Sequence, residues 1–193
     1  MKKLIRNIYN LLSISTPFFI IFNYIKNYFP NYRKKKQCLK IDEEIYHNFK
    51  SVDFTKKWFT NNLYFLSQNL STLKVNNLLE IGSFEGRSAI FFADIFRDSK
   101  ISCVDTWSGS DEHENINFRS IENNFDQNIK LLKNNQLLKK FKMTSDNFFS
   151  QNNEKFDFVY VDGDHSKDQV LKDLQNSWSV LNNNGFLLVD DYM

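Results

Sequence analysis

The chain has 193 residues and a formal net charge of +2, with 25% of its residues charged. That length suits one domain of ordinary size with a substantial core and is too short for two full ones. The balanced charge gives no strong overall field, which argues against nucleic acid as a partner. The two cysteines, Cys38 and Cys103, lack metal-ligand spacing and suit a reducing compartment.

Residues 1–50 read as an extension and residues 51–193 as the domain proper. Lys2, Lys3 and Arg6 precede LLSISTPFFIIFNYI, and a basic cluster runs from Arg33 to Lys36. The apolar core from Leu11 to Phe22 is shorter than the ~20 residues of a spanning helix and is interrupted by Pro17. NYIKNYFPNY offers no small-x-small cleavage site for secretion. Two readings stand side by side: a helix lying on an anionic membrane surface, or a helix packed on its own domain or on a partner. The expected location is cytoplasmic, with peripheral membrane contact under the first reading.

From Ser51 to Leu70, the residues Phe54, Trp58, Leu63, Leu66 and Leu70 recur near helical spacing and predict an amphipathic helix. Five short apolar runs follow, Asn77 to Ile81, Ile101 to Asp105, Lys139 to Met143, Asp157 to Asp162 and Phe186 to Asp190. Between them lie helical stretches, most clearly Ser166 to Leu181. There Ser166 and Gln169 have capping-box spacing, and Val170, Leu174, Trp178 and Leu181 form one face. Strands alternating with helices predict an α/β fold with right-handed crossovers and a mostly parallel sheet.

The five glycines, Gly82, Gly86, Gly109, Gly163 and Gly185, all fall outside the proposed strand interiors. Polar clusters sit at or just past strand C-terminal ends: Glu80 to Gly86, Asp105 to Ser110, Ser145 to Asn147, Asp162 to His165, and Asp190 with Asp191. In an open parallel sheet that edge binds ligands.

LLEIGSFEGRSAIFFA joins a strand, a loop containing Gly82 and Gly86, and the start of a helix. Its pattern is E-x-G-x-x-x-G, with Glu80 where a dinucleotide fingerprint has glycine, which disfavours a nicotinamide oxidoreductase. The next strand ends in Asp105, 23 positions after Gly82, near the ~20 expected of an acid that binds ribose hydroxyls.

With LLEIGSFEGRS, CVDTWSGS and FVYVDGDHSKD followed by LLVDDY, the stretch from Leu78 to Tyr192 resembles the class I S-adenosylmethionine-dependent methyltransferases. It is most similar to the branch of metal-dependent O-methyltransferases of the methyltransferase domain 24 type. The resemblance implies a Rossmann-like, doubly wound sheet of order 3-2-1-4-5. It places Glu80 and Gly82 by the methionine part of the cofactor, Asp105 on its ribose, and Trp107 with Ser145, Asp146 and Asn147 at its adenine. Ser83, Gly86 and Thr106 complete the cofactor-binding set. For Trp107 a core role, and for Ser145 a helix-capping role, stand as alternatives.

FVYVDGDHSKDQV puts Asp162, Asp164, His165 and Asp168 within seven positions. In the metal-dependent relatives the acid ending the fourth strand and an acidic pair ending the fifth hold a divalent cation. The resemblance assigns those places to Asp162, Asp190 and Asp191, with Mg²⁺ expected, and makes His165 the base. Three carboxylates suit a hard cation, and imidazole titrates near working pH. The bland alternative is a βα turn whose acids sit favourably at a helix N-terminus. Adjacent strand residues face opposite sides, so Asp190 and Asp191 converge only where the strand ends. Asp164 is left open between binding water, capping the helix and orienting His165.

Relatives normally continue past the fifth strand, whereas this chain stops at Met193, so strands six and seven are expected to be missing. FLLV then needs cover, from a second copy or from the N-terminal extension, unless the gene product is truncated or split. The implied activity is methyl transfer to a hydroxyl of a small polar or sugar-like acceptor. A non-catalytic cofactor-binding or partner-binding module is the alternative. His47 and His113 stand apart from these clusters and suggest surface or packing roles.

Overall fold

The computed structural model describes residues 20–22, 32–46, 54–109, 117–132 and 137–190. In chain order these form β1 (Ile20–Phe22), α1 (Tyr32–Tyr46), a 3₁₀ turn (Trp58–Asn62), α2 (Leu63–Leu70), β2 (Asn77–Ile81) and α3 (Arg87–Ile95). Then come β3 (Lys100–Asp105), α4 (Phe118–Lys130), β4 (Leu138–Lys142), α5 (Ser145–Gln151), β5 (Phe156–Val161), α6 (Lys167–Val180) and β6 (Leu181–Val189).

The sheet order is β1-β6-β5-β2-β3-β4, and every pairing is parallel. Leaving β1 aside, this is the expected 3-2-1-4-5 order. The strands β2, β3, β5 and β6 carry apolar residues on both faces because helices cover both. Leu78, Ile101, Cys103, Phe158, Tyr160 and Leu188 pack with α2, α3 and α4. Leu79, Ile81, Val104, Val159, Val161, Leu187 and Val189 face Phe148 of α5 and Val170 and Leu174 of α6. This two-residue alternation fixes which side chains share a face at the strand ends.

β1 lies parallel along the outer edge of β6, with Ile20 opposite Leu187 and Phe22 opposite Val189. Of the covers expected for FLLV, the N-terminal extension is the one seen here. α1 packs on its own domain: Cys38 is buried, and Ile41, Ile45 and Tyr46 join the core cluster of α2 and α3. Residues 1–19, the rest of the candidate membrane segment and both His47 and His113 lie outside the described residues. Among the described residues no helix is long and apolar enough to cross a membrane.

Several local expectations are corrected. The helix expected over Ser51 to Leu70 is a 3₁₀ turn followed by α2, and Trp58 is 58% exposed. Phe59 takes the core position instead. Ser166 precedes α6 without a side-chain cap, and Gln169 turns away to Ser145, Asp146 and Asp173, so no capping box forms. Asp164 does the local work, accepting from the Ser166 amide at 2.7 Å. β6 starts at Leu181, so Gly185 falls within its bounds. The register breaks there: Phe156 pairs with Leu181 but Phe158 with Phe186, leaving Asn184 at φ 63 beside the glycine.

Candidate active site

The C-terminal edge of β2, β3, β5 and β6 gathers the polar clusters. Beyond β2, β5 and β6 the ladder continues for one more residue: the amides of Gly82, Asp162 and Asp190 donate to the carbonyls of Val104, Ile81 and Val161 at 2.8–3.0 Å. Alternation then sends the Asp162 and Asp190 side chains to the face of Tyr160 and Leu188. Asp191 lies outside the described residues.

Glu80 sits one residue before the end of β2, paired with Cys103 on β3 and Tyr160 on β5. It is 0% exposed, and neither carboxylate oxygen has a hydrogen-bond partner. Burial pushes its pKa up to about 7; the Ser83 and Ser88 hydroxyls and the Cys103 thiol, close by without a formed bond, draw it only partly back. An orphaned buried carboxylate facing a ligand loop is costly unless something completes it. Ser83 is likewise buried, with its hydroxyl unpaired.

The loop from Gly82 to Gly86 is held from several sides. Gly82 has φ 89, and a β-carbon there would stand 2.0 Å from the Asp162 carbonyl oxygen. Phe84, at φ 46, donates its amide to Asp105 Oδ2 at 2.8 Å. Glu85 is buried; its carboxylate accepts from the Thr55 amide and the Asn124 side chain, and its carbonyl from Asn128. Arg87, the first residue of α3, is buried against the rings of Tyr46 and Phe54 and bonds Asp42 and Thr60. The extension therefore braces the loop that the resemblance assigns to the cofactor.

Asp105, expected on the ribose, also accepts from the Trp107 amide at 2.7 Å. Thr106 accepts from the Ser108 amide. Trp107 is buried at φ 47, its ring 4.7 Å from that of Phe125 and its indole N–H donated to the Phe84 carbonyl. The ring thus lies in the core, the alternative role weighed for it, and ties the β3 end to the loop. At the β4 end the cap of α5 is Thr144, one residue before Ser145, accepting from the Asn147 amide. Ser145 and Asp146 accept from Gln169 of α6.

At the β5 and β6 ends, Tyr160 Oη lies 3.0 Å from Asp162 Oδ2 and 2.9 Å from Asp190 Oδ2. Asn62 Nδ2 donates to the same Asp190 oxygen at 2.9 Å. His165 Nε2 is 3.5 Å from Asp162 Oδ1, with 34% of its side chain and 29% of the Asp162 side chain accessible. Despite that opening, the surrounding sheet desolvates Asp162, and with neighbouring Asp190 pushes its pKa up to about 6, against the pull of His165 and Tyr160. A phenol has one proton and donates to one oxygen at a time. A proton on Asp162 would satisfy the second contact.

The structure brings Glu80, Ser83, Asp162, His165 and Asp190 to one sheet edge, with Asp105 one strand away. Among the described residues no three His, Cys, Asp or Glu converge as a complete metal site. The donor chemistry present, two converging carboxylates, fits a hard divalent cation. Sequence reading missed Tyr160, Asn62, Glu85 and Arg87. Only Tyr160 had a signal, two residues before Asp162 and hence on its face.

A family model described as a methyltransferase domain matches residues 79–192, from β2 to just past β6. The chain belongs to that family. Its fold is that of the class I S-adenosylmethionine-dependent methyltransferases. The chain is similar to a candidate caffeoyl-CoA O-methyltransferase from Staphylococcus aureus, at 18% identity and a TM-score of 0.57, over 81% of this chain and 72% of that one. It is also similar to the O-methyltransferase TomG from Streptomyces achromogenes, solved with SAM, at 14% identity and a TM-score of 0.54, over 86% and 67%. A ribosomal protein L11 methylase from Lactobacillus delbrueckii subsp. bulgaricus matches at 16% identity and a TM-score of 0.50, over 74% and 65%. No curated protein sequence matches.

Proposed function

We propose that this methyltransferase-family chain moves the methyl group of S-adenosylmethionine to a hydroxyl oxygen of a small polar or sugar-like acceptor, with His165 as base and a divalent cation assisting. The observation that carries the reading is the pairing of two unlike carboxylates on one sheet edge. Glu80 is buried, orphaned and next to the glycine loop, and Asp162 is partly open and beside His165.

Glu80 suits a cationic group. An ammonium seated there would supply the missing donors and favour the ionised carboxylate. The methionine end of the cofactor carries such a group. Asp105, held by two backbone amides, keeps its carboxylate fixed for ribose hydroxyls at the neighbouring strand end. S-adenosylmethionine, when bound, supplies a methyl group on a positively charged sulfur.

His165 takes the proton that the acceptor hydroxyl loses. Asp162, 3.5 Å from its Nε2, orients the imidazole and stabilises its protonated form. Asp162, Asp190 and Asp191 are the residues that would hold Mg²⁺, which lowers the pKa of a bound hydroxyl. Much of the rate comes from positioning the two reactants.

Solved relatives of the same fold carry both O-methyltransferase and protein-methylase names, so the choice of oxygen rests on the His165 and acid-pair chemistry. The test is methyl transfer from labelled S-adenosylmethionine to a panel of hydroxyl compounds. Loss of turnover in His165→Ala with S-adenosylhomocysteine affinity intact supports the reading. Cofactor binding with no turnover on any acceptor favours the binding-module alternative.

A further inference from the structure

The geometry points to Tyr160, with Asn62 behind it, as the positioning device that makes Asp162 and Asp190 a single cation-binding pair. This rests on the metal-assisted reading above and adds to it residues whose role lies outside the sheet's packing. The Tyr160 ring is fully buried, 5.2 Å from the Phe92 ring and 6.1 Å from that of Phe59. Phenylalanine would fill that apolar setting as well. The hydroxyl is the exception, and it meets one carboxylate oxygen from each of two strand ends.

Buried phenols need a partner, but one suffices. Here there are two, both anionic in character, and Asn62 adds a second donor to the Asp190 oxygen from a segment 128 residues earlier. Two neighbouring carboxylates repel each other unless donors or a cation stand between or beside them. Tyr160 and Asn62 set their rotamers and spacing before any ion arrives. Outer hydrogen bonds of this kind orient ligating carboxylates, and losing them costs roughly 10–100-fold in metal affinity.

The opposing effect is competition, since the phenol occupies oxygens that a cation would use. Preorganisation wins in this account because a carboxylate retains a second oxygen, and a lone pair on the bonded one, for the ion. The two effects predict opposite signs.

The experiment measures Mn²⁺ binding by electron paramagnetic resonance to the full chain and to Tyr160→Phe, with calorimetric titration of S-adenosylhomocysteine on both. The expected result is Mn²⁺ affinity at least tenfold weaker in Tyr160→Phe, with S-adenosylhomocysteine affinity within twofold of the parent. Equal or tighter Mn²⁺ binding by the variant overturns the proposal. Absence of Mn²⁺ binding in both chains overturns it together with the metal-assisted reading, while retained S-adenosylhomocysteine binding leaves methyl transfer standing. Should Tyr160→Phe fail to fold, Asn62→Ala carries the same test, and unchanged Mn²⁺ affinity there overturns the proposal.

Discussion

Gly82 and Asp162 approach so closely that a β-carbon on Gly82 would stand 2.0 Å from the Asp162 carbonyl oxygen. The contact joins the Gly82 to Gly86 loop to the acidic end of β5, so the two halves of the candidate site share one backbone junction. Gly82 also sits at φ 89. Gly82→Ala should therefore destabilise by more than the ~1–3 kcal/mol that a forced left-handed residue alone costs. Gly163→Ala, whose β-carbon would meet only the Ile81 Cγ2 at 3.3 Å and no backbone atom closer than 3.9 Å, should cost less, about 1–2 kcal/mol. Urea denaturation of the two variants checks the contrast.

Helix α1 is tied to the rest of the fold by a buried charge. Arg87 and Asp42 pair with little of either side chain accessible. Removing Asp42 leaves an uncompensated guanidinium, so Asp42→Ala should cost about 3–5 kcal/mol. The Lys40–Glu44 pair on the same helix is mostly exposed, and Lys40→Ala should cost under about 0.5 kcal/mol. Chemical denaturation distinguishes the two pairs. Because Arg87 begins the helix after the cofactor loop, Asp42→Ala should also weaken S-adenosylhomocysteine binding.

Glu80 gives the site a pH dependence. Its folded pKa, raised from 4.5 to about 7 by burial, means the native state holds a proton that the unfolded chain releases earlier. Stability of the ligand-free protein therefore falls as pH rises from about 4.5 to 7, by on the order of 3 kcal/mol, and levels off above that. Cofactor binding has the opposite slope, because an ammonium group needs the ionised form. S-adenosylhomocysteine affinity should rise roughly tenfold between pH 6 and 8, following the ionised fraction of a group titrating near 7. Glu80→Gln should remove both slopes, seen by calorimetry and thermal melting.

Much of this was legible in the sequence. Five of the strands and their parallel arrangement followed from five apolar runs with polar residues at one end of each, while their 3-2-1-4-5 order came from the family resemblance, carried by the Gly82 to Gly86 loop, Asp105 and the acidic strand ends. Less was legible where the partners are remote. Asn62 meets Asp190 across 128 residues, and Asp42 meets Arg87 across 45. No spacing rule reports such contacts.

Local patterns misled where tertiary contacts outcompeted them. Trp58 fitted a helical stripe, yet a 3₁₀ turn places Phe59 in the core. Ser166 and Gln169 fitted a capping box, but Gln169 finds two acceptors across the α5–α6 contact and a third, Asp173, one turn on along its own helix. β1 escaped notice because three apolar residues inside a longer apolar run carry no strand period of their own.

The proposed function stands on the loop after β2 forming, with Glu80 and Asp105, an S-adenosylmethionine pocket. Calorimetric titration of the full chain with S-adenosylhomocysteine tests it most directly. The expected result is saturable one-site binding that is lost in an Asp105→Ala variant whose circular dichroism matches the parent. A folded parent chain that binds no S-adenosylhomocysteine would contradict it.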